Sequence, residues 1–109
     1  MGGAYIEDVH AVARLIPPGR VTTYGAIADF LTLGSARMVG WALYQGLATG
    51  EAVPAHRVVN RRGELTGRNH FPTPTCMQER LEAEGVVVVD DRIPAFDECF
   101  WSPASLLDT

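Results

Sequence analysis

Thr22–Leu43 reads TTYGAIADFLTLGSARMVGWAL, and this stretch decides whether the chain contains a helix-turn-helix. Thr23 is a short polar residue placed before an apolar run, the position from which a side-chain oxygen caps a helix. Tyr24, Ile27, Ala28 and Leu31 then recur at helical spacing and form one apolar stripe. The segment TLGS breaks the pattern with a glycine, and Ser35 is placed to cap a second helix, ARMVGWALYQGL. Two short helices joined by a few residues with glycine fit a helix-turn-helix. Many helical corners that never meet DNA read the same way.

Working outward, EDVHAVARLI upstream predicts a first helix with Ile6, Val9, Ala13 and Ile16 on one face. Pro17-Pro18-Gly19 ends it, because proline lacks the amide that continues the ladder. Downstream comes VPAHRVVN (53–60), a His-Arg pair between a Pro-Ala kink and two β-branched residues. NRRGELTG predicts a hairpin turn around Arg62-Gly63. Thr75 with Gln78 gives a capping-box signature for a helix through TCMQERLEAEG, stopped by Gly85. VVVV at 86–89 reads as a short buried strand, and the tail IPAFDECFWSP should pack Phe96, Phe100 and Trp101 onto the body. The expected fold is an α-rich (α+β) single domain over residues 1–109, winged-helix-like, with one or two short β-hairpins.

Bulk properties narrow the function. The 109 residues are 47% apolar, enough for one modest core. No apolar run is long enough to span a membrane and no secretory leader opens the chain, so it reads as cytoplasmic. Cys76 and Cys99 lack CxxC spacing, so they write neither a zinc site nor a redox motif and are expected to be free thiols. The net charge of −4 argues against a polyanion partner until its distribution is considered. All nine basic residues are arginines, and residues 37–68 hold five of them against two glutamates. Residues 69–109 hold eight acids against Arg80 and Arg92. One basic face on an otherwise acidic body fits that polarity; an ordinary mixed surface fits it too.

On the second helix Ala36 and Gly40 lie one turn apart with Arg37 beside them. So bare a face can approach a nucleic-acid backbone closely, with one guanidinium projecting from it. The same residues equally permit tight helix packing beside a solvated arginine.

Taken in order, IPPGRVTTYGAIA, ARMVGWAL, VPAHRVVNRRGELTG and RLEAEGV resemble the DNA-binding domain of the O6-alkylguanine-DNA alkyltransferases, from about residue 6 to residue 86. The most specific pieces are the PxHRVV core and the R-V-x-x-Y-G entry to the helix pair. In those enzymes the core reads Pro-Cys-His-Arg and the cysteine accepts the alkyl group; here Ala55 takes its place. The missing nucleophile, the lack of a preceding domain and Arg68 together resemble the alkyltransferase-like proteins. These bind O6-alkylguanine without repairing it and present it to nucleotide excision repair.

The resemblance implies a role for each matching position. Tyr24, Ala36, Arg37 and Gly40 would bind DNA through the minor groove. Arg37 would fill the gap left by an extruded nucleotide, where a planar cation stacks on the neighbouring bases. Tyr24 would crowd the phosphate and help rotate the nucleotide outward. Met38 stands where the family often has a small residue, so it alters groove contacts or acts as a wedge. Tyr24, Ala55, His56, Val58 and Arg68 would line the alkylguanine pocket, with Arg68 over the base or on a phosphate. His56 and Glu84 match the transferase base and its carboxylate, left without a thiol to activate. Asn60 would brace the turn and Arg57 would form an internal ion pair.

The implied partners are duplex DNA carrying O6-alkylguanine and excision-repair proteins, bound by a monomer with no cofactor, no metal, no membrane and no catalysis. Two other functions remain open at this stage. One is an enzyme using Cys76, at a predicted helix start, or water held on His56. The other is a helix-turn-helix regulator that reads bases through Arg37, Tyr44 and Gln45 without flipping.

Overall fold

The computed structural model describes residues 3–107. Helix α1 spans Gly3–Arg14, starting earlier than its apolar pattern predicts. It stops before Ile16, because a residue preceding proline is forced out of the helical region. Leu15 and Ile16 close the last turn with bonds to the carbonyls of Val12 and Ala13, and Gly19 takes φ +83° to reverse the chain. Val9, Ala13 and Ile16 are buried as expected.

Strand β1 is only Thr22–Thr23, and α2 (Tyr24–Phe30) follows it without a gap. Thr23 therefore ends a strand and caps a helix at once: its Oγ1 accepts the Ala26 amide at 3.0 Å. Such a cap contributes about 1 kcal/mol. Thr32 adopts φ +54° in the break, and Leu33 returns its amide to the Ala28 carbonyl at 2.8 Å. Helix α3 spans Ala36–Thr49 and ends on Gly50 at φ +79°. Ser35 has the extended backbone of a cap, but its side chain makes no cap bond, contrary to expectation. The helix-turn-helix is thus held by the packing of α3 on α2 and α1, around Val9, Ile27, Val39, Ala42 and Leu43.

The sheet differs from the hairpins predicted. Strand β2 (Val58–Val59) pairs in parallel with β1, Thr22 facing Val58 and Thr23 facing Val59. The tail continues the ladder on the other side: Trp101 donates to the Val21 carbonyl at 2.7 Å, and Val21 to Cys99 at 3.0 Å. The Arg62-Gly63 turn exists, with Gly63 at φ +76°, but its arms do not form a hairpin ladder. Residues beyond it pair with a distant segment instead, Leu65 donating to Asp91 and Ile93 to Gly63. One minimal hairpin lies at Val89–Arg92, where Asp90 and Asp91 both take positive φ.

Two further expectations are corrected. The run at 86–89 is not a buried strand: Val86 and Val88 face the core, while Val87 and Val89 are 65% and 52% exposed. Alternation of that kind belongs to an extended segment covered on one side. Helix α4 (Cys76–Ala83) has no capping box. Thr75 already has a helical backbone, so its hydroxyl turns to Glu79 at 2.7 Å, and Gln78 bonds Glu82 instead. Gly85 does stop the helix, at φ +90°. A short α5 (Phe96–Cys99) carries the half-buried Phe96 and leads into Phe100 and Trp101, which pack back as expected.

Candidate nucleic-acid interface

Because β1 runs directly into α2, Tyr24 is fixed at the first position of the helix-turn-helix, facing the first turns of α3. Between them opens a cavity of about 720 Å³ lined by Tyr24, Ala36, Arg37, Gly40, Trp41, Tyr44 and Thr66. All four residues expected to bind DNA meet here. Ala36 and Arg37 are exposed, and Gly40 is buried at the cavity floor. A Cβ at Gly40 would lie 3.6 Å from the Tyr44 ring and 3.8 Å from that of Tyr24, ordinary contact distances. The fold alone therefore does not demand glycine there; a close visitor to that surface would.

The tyrosines form the cavity wall. Their hydroxyls hydrogen-bond each other, and their rings meet edge to face at 6.4 Å. Tyr44 also stacks on His70, 3.7 Å apart and 6° from parallel. Burial pushes the Tyr24 phenol above its usual range, outweighing the hydrogen bonds from Tyr44 and Thr66 that pull it down. Burial and the neighbouring Tyr24 push Tyr44 up further. Both hydroxyls stay protonated and able to donate. Beneath them passes Gly67, where a Cβ would collide with the Tyr44 hydroxyl and sit 2.9 Å from that of Tyr24.

Sequence reasoning did not find Trp41, Thr66, Gly67 or His70. Trp41 follows Arg37 by one helical turn and is 51% exposed, so the face begun by Ala36 and Arg37 could have been extended to it. Thr66, Gly67 and His70 carry no local signal. They arrive through the loop that crosses α3.

A second cluster lies inside. Ala55 and His56 occupy a 3-10 turn, Ala55–Arg57, and with Val58 they are buried, at 2%, 7% and 0% exposure. None of the three lines the open cavity. His56 Nε2 bonds Glu84 Oε2 at 2.8 Å, and Arg57 grips the same carboxylate through Nη2 at 2.7 Å and Nε at 3.0 Å. Gly19 donates its amide to Glu84 at 3.2 Å, and Arg57 reaches the Ile16 carbonyl at 2.9 Å. Burial alone would raise the Glu84 carboxyl, but bonds from Arg57, His56 and Gly19 hold it at about 2. Burial lowers the His56 imidazole below its usual range, against the pull of Glu84, and Arg57 and Arg80 add to the lowering. Among the described residues His56 Nδ1 is buried with no partner.

Arg68 is half-buried, its Nη1 on the Leu65 carbonyl at 3.2 Å and its Nε 3.6 Å from Asp91. The five residues expected in the pocket are thus divided, Tyr24 on the open cavity and the others behind or beside it. Asn60 braces its turn as expected, its Oδ1 accepting the amides of Arg62 and Glu64 at 3.0 and 2.8 Å. Cys76 opens α4 as a half-buried thiol, and Cys99 is half-buried too. Among the described residues no group of three His, Cys, Asp or Glu side chains could hold a metal ion, and no helix is long and apolar enough to cross a membrane.

A helix pair that offers a tyrosine-walled cavity and an unpaired arginine, fastened by a parallel β-pair to a PxHRVV turn, is the DNA-binding module of the alkyltransferase type. Residues 4–86 match the family described as 6-O-methylguanine DNA methyltransferase, DNA binding domain. The chain belongs to the alkyltransferase-like proteins of that family. It is 37% identical over 104 residues to alkyltransferase-like protein 1 of Schizosaccharomyces pombe, covering 91% of this chain and 94% of the relative. A DNA base-flipping protein of Vibrio parahaemolyticus is 35% identical over 102 residues, covering 91% and 97%. Among solved structures, the S. pombe protein in complex with damaged DNA containing O6-carboxymethylguanine matches with a TM-score of 0.77 at 32% identity, over 91% of this chain and 95% of that one.

Proposed function

We propose that residues 1–109 form one DNA-binding domain that recognises O6-alkylguanine in duplex DNA without repairing it. Helix α3 enters the minor groove on its Ala36–Gly40 face, and Tyr24 helps turn the damaged nucleotide outward. Arg37 fills the vacated stack, offsetting part of an unstacking cost of a few kcal/mol. The flipped base is read by a pocket formed from Tyr24, Ala55, His56, Val58 and Arg68. Since Ala55 and His56 are buried, the base is admitted when the loop carrying Thr66–His70 lifts from α3. The protein acts as a monomer in the cytoplasm, and the held lesion becomes the signal for nucleotide excision repair.

The observation that carries this reading is His56. It is oriented by Glu84 at 2.8 Å, as a general base would be, yet its Nδ1 has no partner and its neighbour Ala55 has no proton to give. On this reading the base–carboxylate pair, without a side-chain nucleophile beside it, serves as a wall of the pocket.

The test compares duplexes with and without O6-methylguanine. The damaged duplex should bind at least tenfold tighter, which is about 1.4 kcal/mol, while mass spectrometry shows protein and lesion unchanged. Equal affinities would end the recognition reading. A mass gain on the protein, at Cys76 for instance, or regenerated guanine would make it an enzyme.

A further inference from the structure

The arginines of this chain divide by partner. Arg14 lies 3.5 Å from Glu51, Arg57 holds Glu84, and Arg68 lies 3.6 Å from Asp91. Arg20 caps the carbonyls of Cys99 and Phe100, and Arg80 lies over the Phe71 ring. Among the described residues no carboxylate pairs with Arg37, Arg61, Arg62 or Arg92. Arg37 belongs to the face already described. The other three sit together around the Asn60–Glu64 turn.

Two cavities meet at that turn. One, of about 480 Å³, is lined by Thr23, Tyr24, Gly25, Ala36, Asn60, Arg61 and Arg62, so it leads from the helix-turn-helix to the paired arginines. The other, of about 550 Å³, continues from Arg61 and Arg62 to Arg92, with Glu64 and Asp97 on its walls. The turn is stiff. Asn60 ties two of its amides, Ile93 donates to the Gly63 carbonyl at 2.9 Å, and Arg92 Nε donates to the Arg62 carbonyl at 3.2 Å. Gly63 presses so closely on Phe96 that a Cβ there would lie 2.9 Å from it. Because the turn is fixed, binding through its two exposed guanidiniums orders side chains only and no backbone.

We propose that Arg61 and Arg62, backed by Arg92, form a clamp for a DNA phosphodiester beside the base-reading face. The clamp rests on the DNA-binding reading and extends its footprint past the helix-turn-helix. Guanidinium forks suit phosphate oxygens, and a phosphate contact sets position without reading sequence. The chain carries a net charge of −4, so unpaired cations one cavity away from Tyr24 and Ala36 supply attraction that the body does not. Glu64, tied to Asn60 Nδ2 at 2.7 Å, and Asp97 share the lining of the second cavity and confine an anion to its arginines.

The experiment measures affinity of the full chain for damaged and undamaged duplexes from roughly 50 to 200 mM salt. Replacing both residues, Arg61→Ala with Arg62→Ala, should lower the slope of log K against log salt by about 2. Near 0.15 M salt it should weaken both duplexes roughly thirty-fold. The ratio between the duplexes should stay as it was, and Arg61→Lys with Arg62→Lys should keep the slope. An unchanged slope in the alanine variant overturns the clamp and leaves an acidic protein segment as the occupant. Loss confined to the damaged duplex overturns it as well. A wild-type chain with no preference for damage would sink the recognition reading, yet the slope would still report on the clamp.

Discussion

Two regions of this molecule each hold an arginine beside ring side chains and use them to opposite ends. Around Glu84, His56 is buried and Arg57 half-buried, their hydrogen bonds converge on one carboxylate, and the loop after α1 is tied in through Gly19 and Ile16. Around Tyr24 and Tyr44 the partners are fewer, the cavity is open, and Arg37 pairs with nothing described. On the proposed function the first region serves as scaffold, although its sequence motif resembles that of a catalytic core. In the second the tyrosine hydroxyls satisfy each other, while the exposed Arg37 has no described carboxylate partner and stays free for a ligand. On that reading motif and function have come apart, and each variant below probes one side of that separation.

The largest effect should come from the closed side. Glu84→Ala strands a buried guanidinium and removes the anchor of the 55–57 turn, costing about 3 kcal/mol. For a domain of this size that is a fall in Tm on the order of 15 °C. A fall of only a few degrees would mean that the cluster is not scaffold.

Next comes the open side. Arg37→Ala should leave Tm unchanged, since the side chain is exposed and pairs with no described carboxylate. Preference for the damaged duplex should drop by about 2 kcal/mol, or roughly thirty-fold. If all duplexes weaken alike, Arg37 is a phosphate contact and the contrast between the regions narrows.

Acid separates the regions without mutation. Both His56 and Glu84 have folded pKa values below their unfolded ones. Each therefore contributes stability that is present above its unfolded pKa and lost as pH falls. His56 begins to erode it below about 6.5, and Glu84 continues from about 4.5 down to about 2. Tm should thus decline steadily from pH 7 to pH 3. Glu84→Gln should flatten that decline below pH 4.5; a decline of unchanged shape would place the acid sensitivity elsewhere.

What the sequence made legible was local. The Thr23 cap, the glycine reversals and the stripe of α2 follow from neighbours a few residues apart, and each formed. Misreadings came where a distant segment intervened. Residues 63–65 pair with 91–93, so the arms of the Arg62-Gly63 turn never zip together. Four consecutive valines carry no period from which to tell that one side would be uncovered. Thr75 matched a capping motif, but the turn before it had already set a helical backbone. The site divides in the same way. Ala36, Arg37 and Gly40 lie on one helix and could be grouped by spacing, whereas Gly67 meets Tyr44 only because the intervening loop folds across α3.

The smallest effect tests that loop. Tyr44→Phe removes one hydroxyl and leaves the ring stacked on His70, so stability should fall by about 1 kcal/mol, the net worth of one hydrogen bond. The Tyr24–Tyr44 bond holds the wall over Gly67, and on the proposed function base entry requires that loop to lift. Loosening it should therefore speed association with damaged DNA, even as Tm declines slightly. Trp41, exposed on the same helix face, supplies the fluorescence signal for a stopped-flow measurement. A faster on-rate at lower Tm would make the open side a gate. Association at the wild-type rate would make it a fixed wall, and the pocket would have to open by another route.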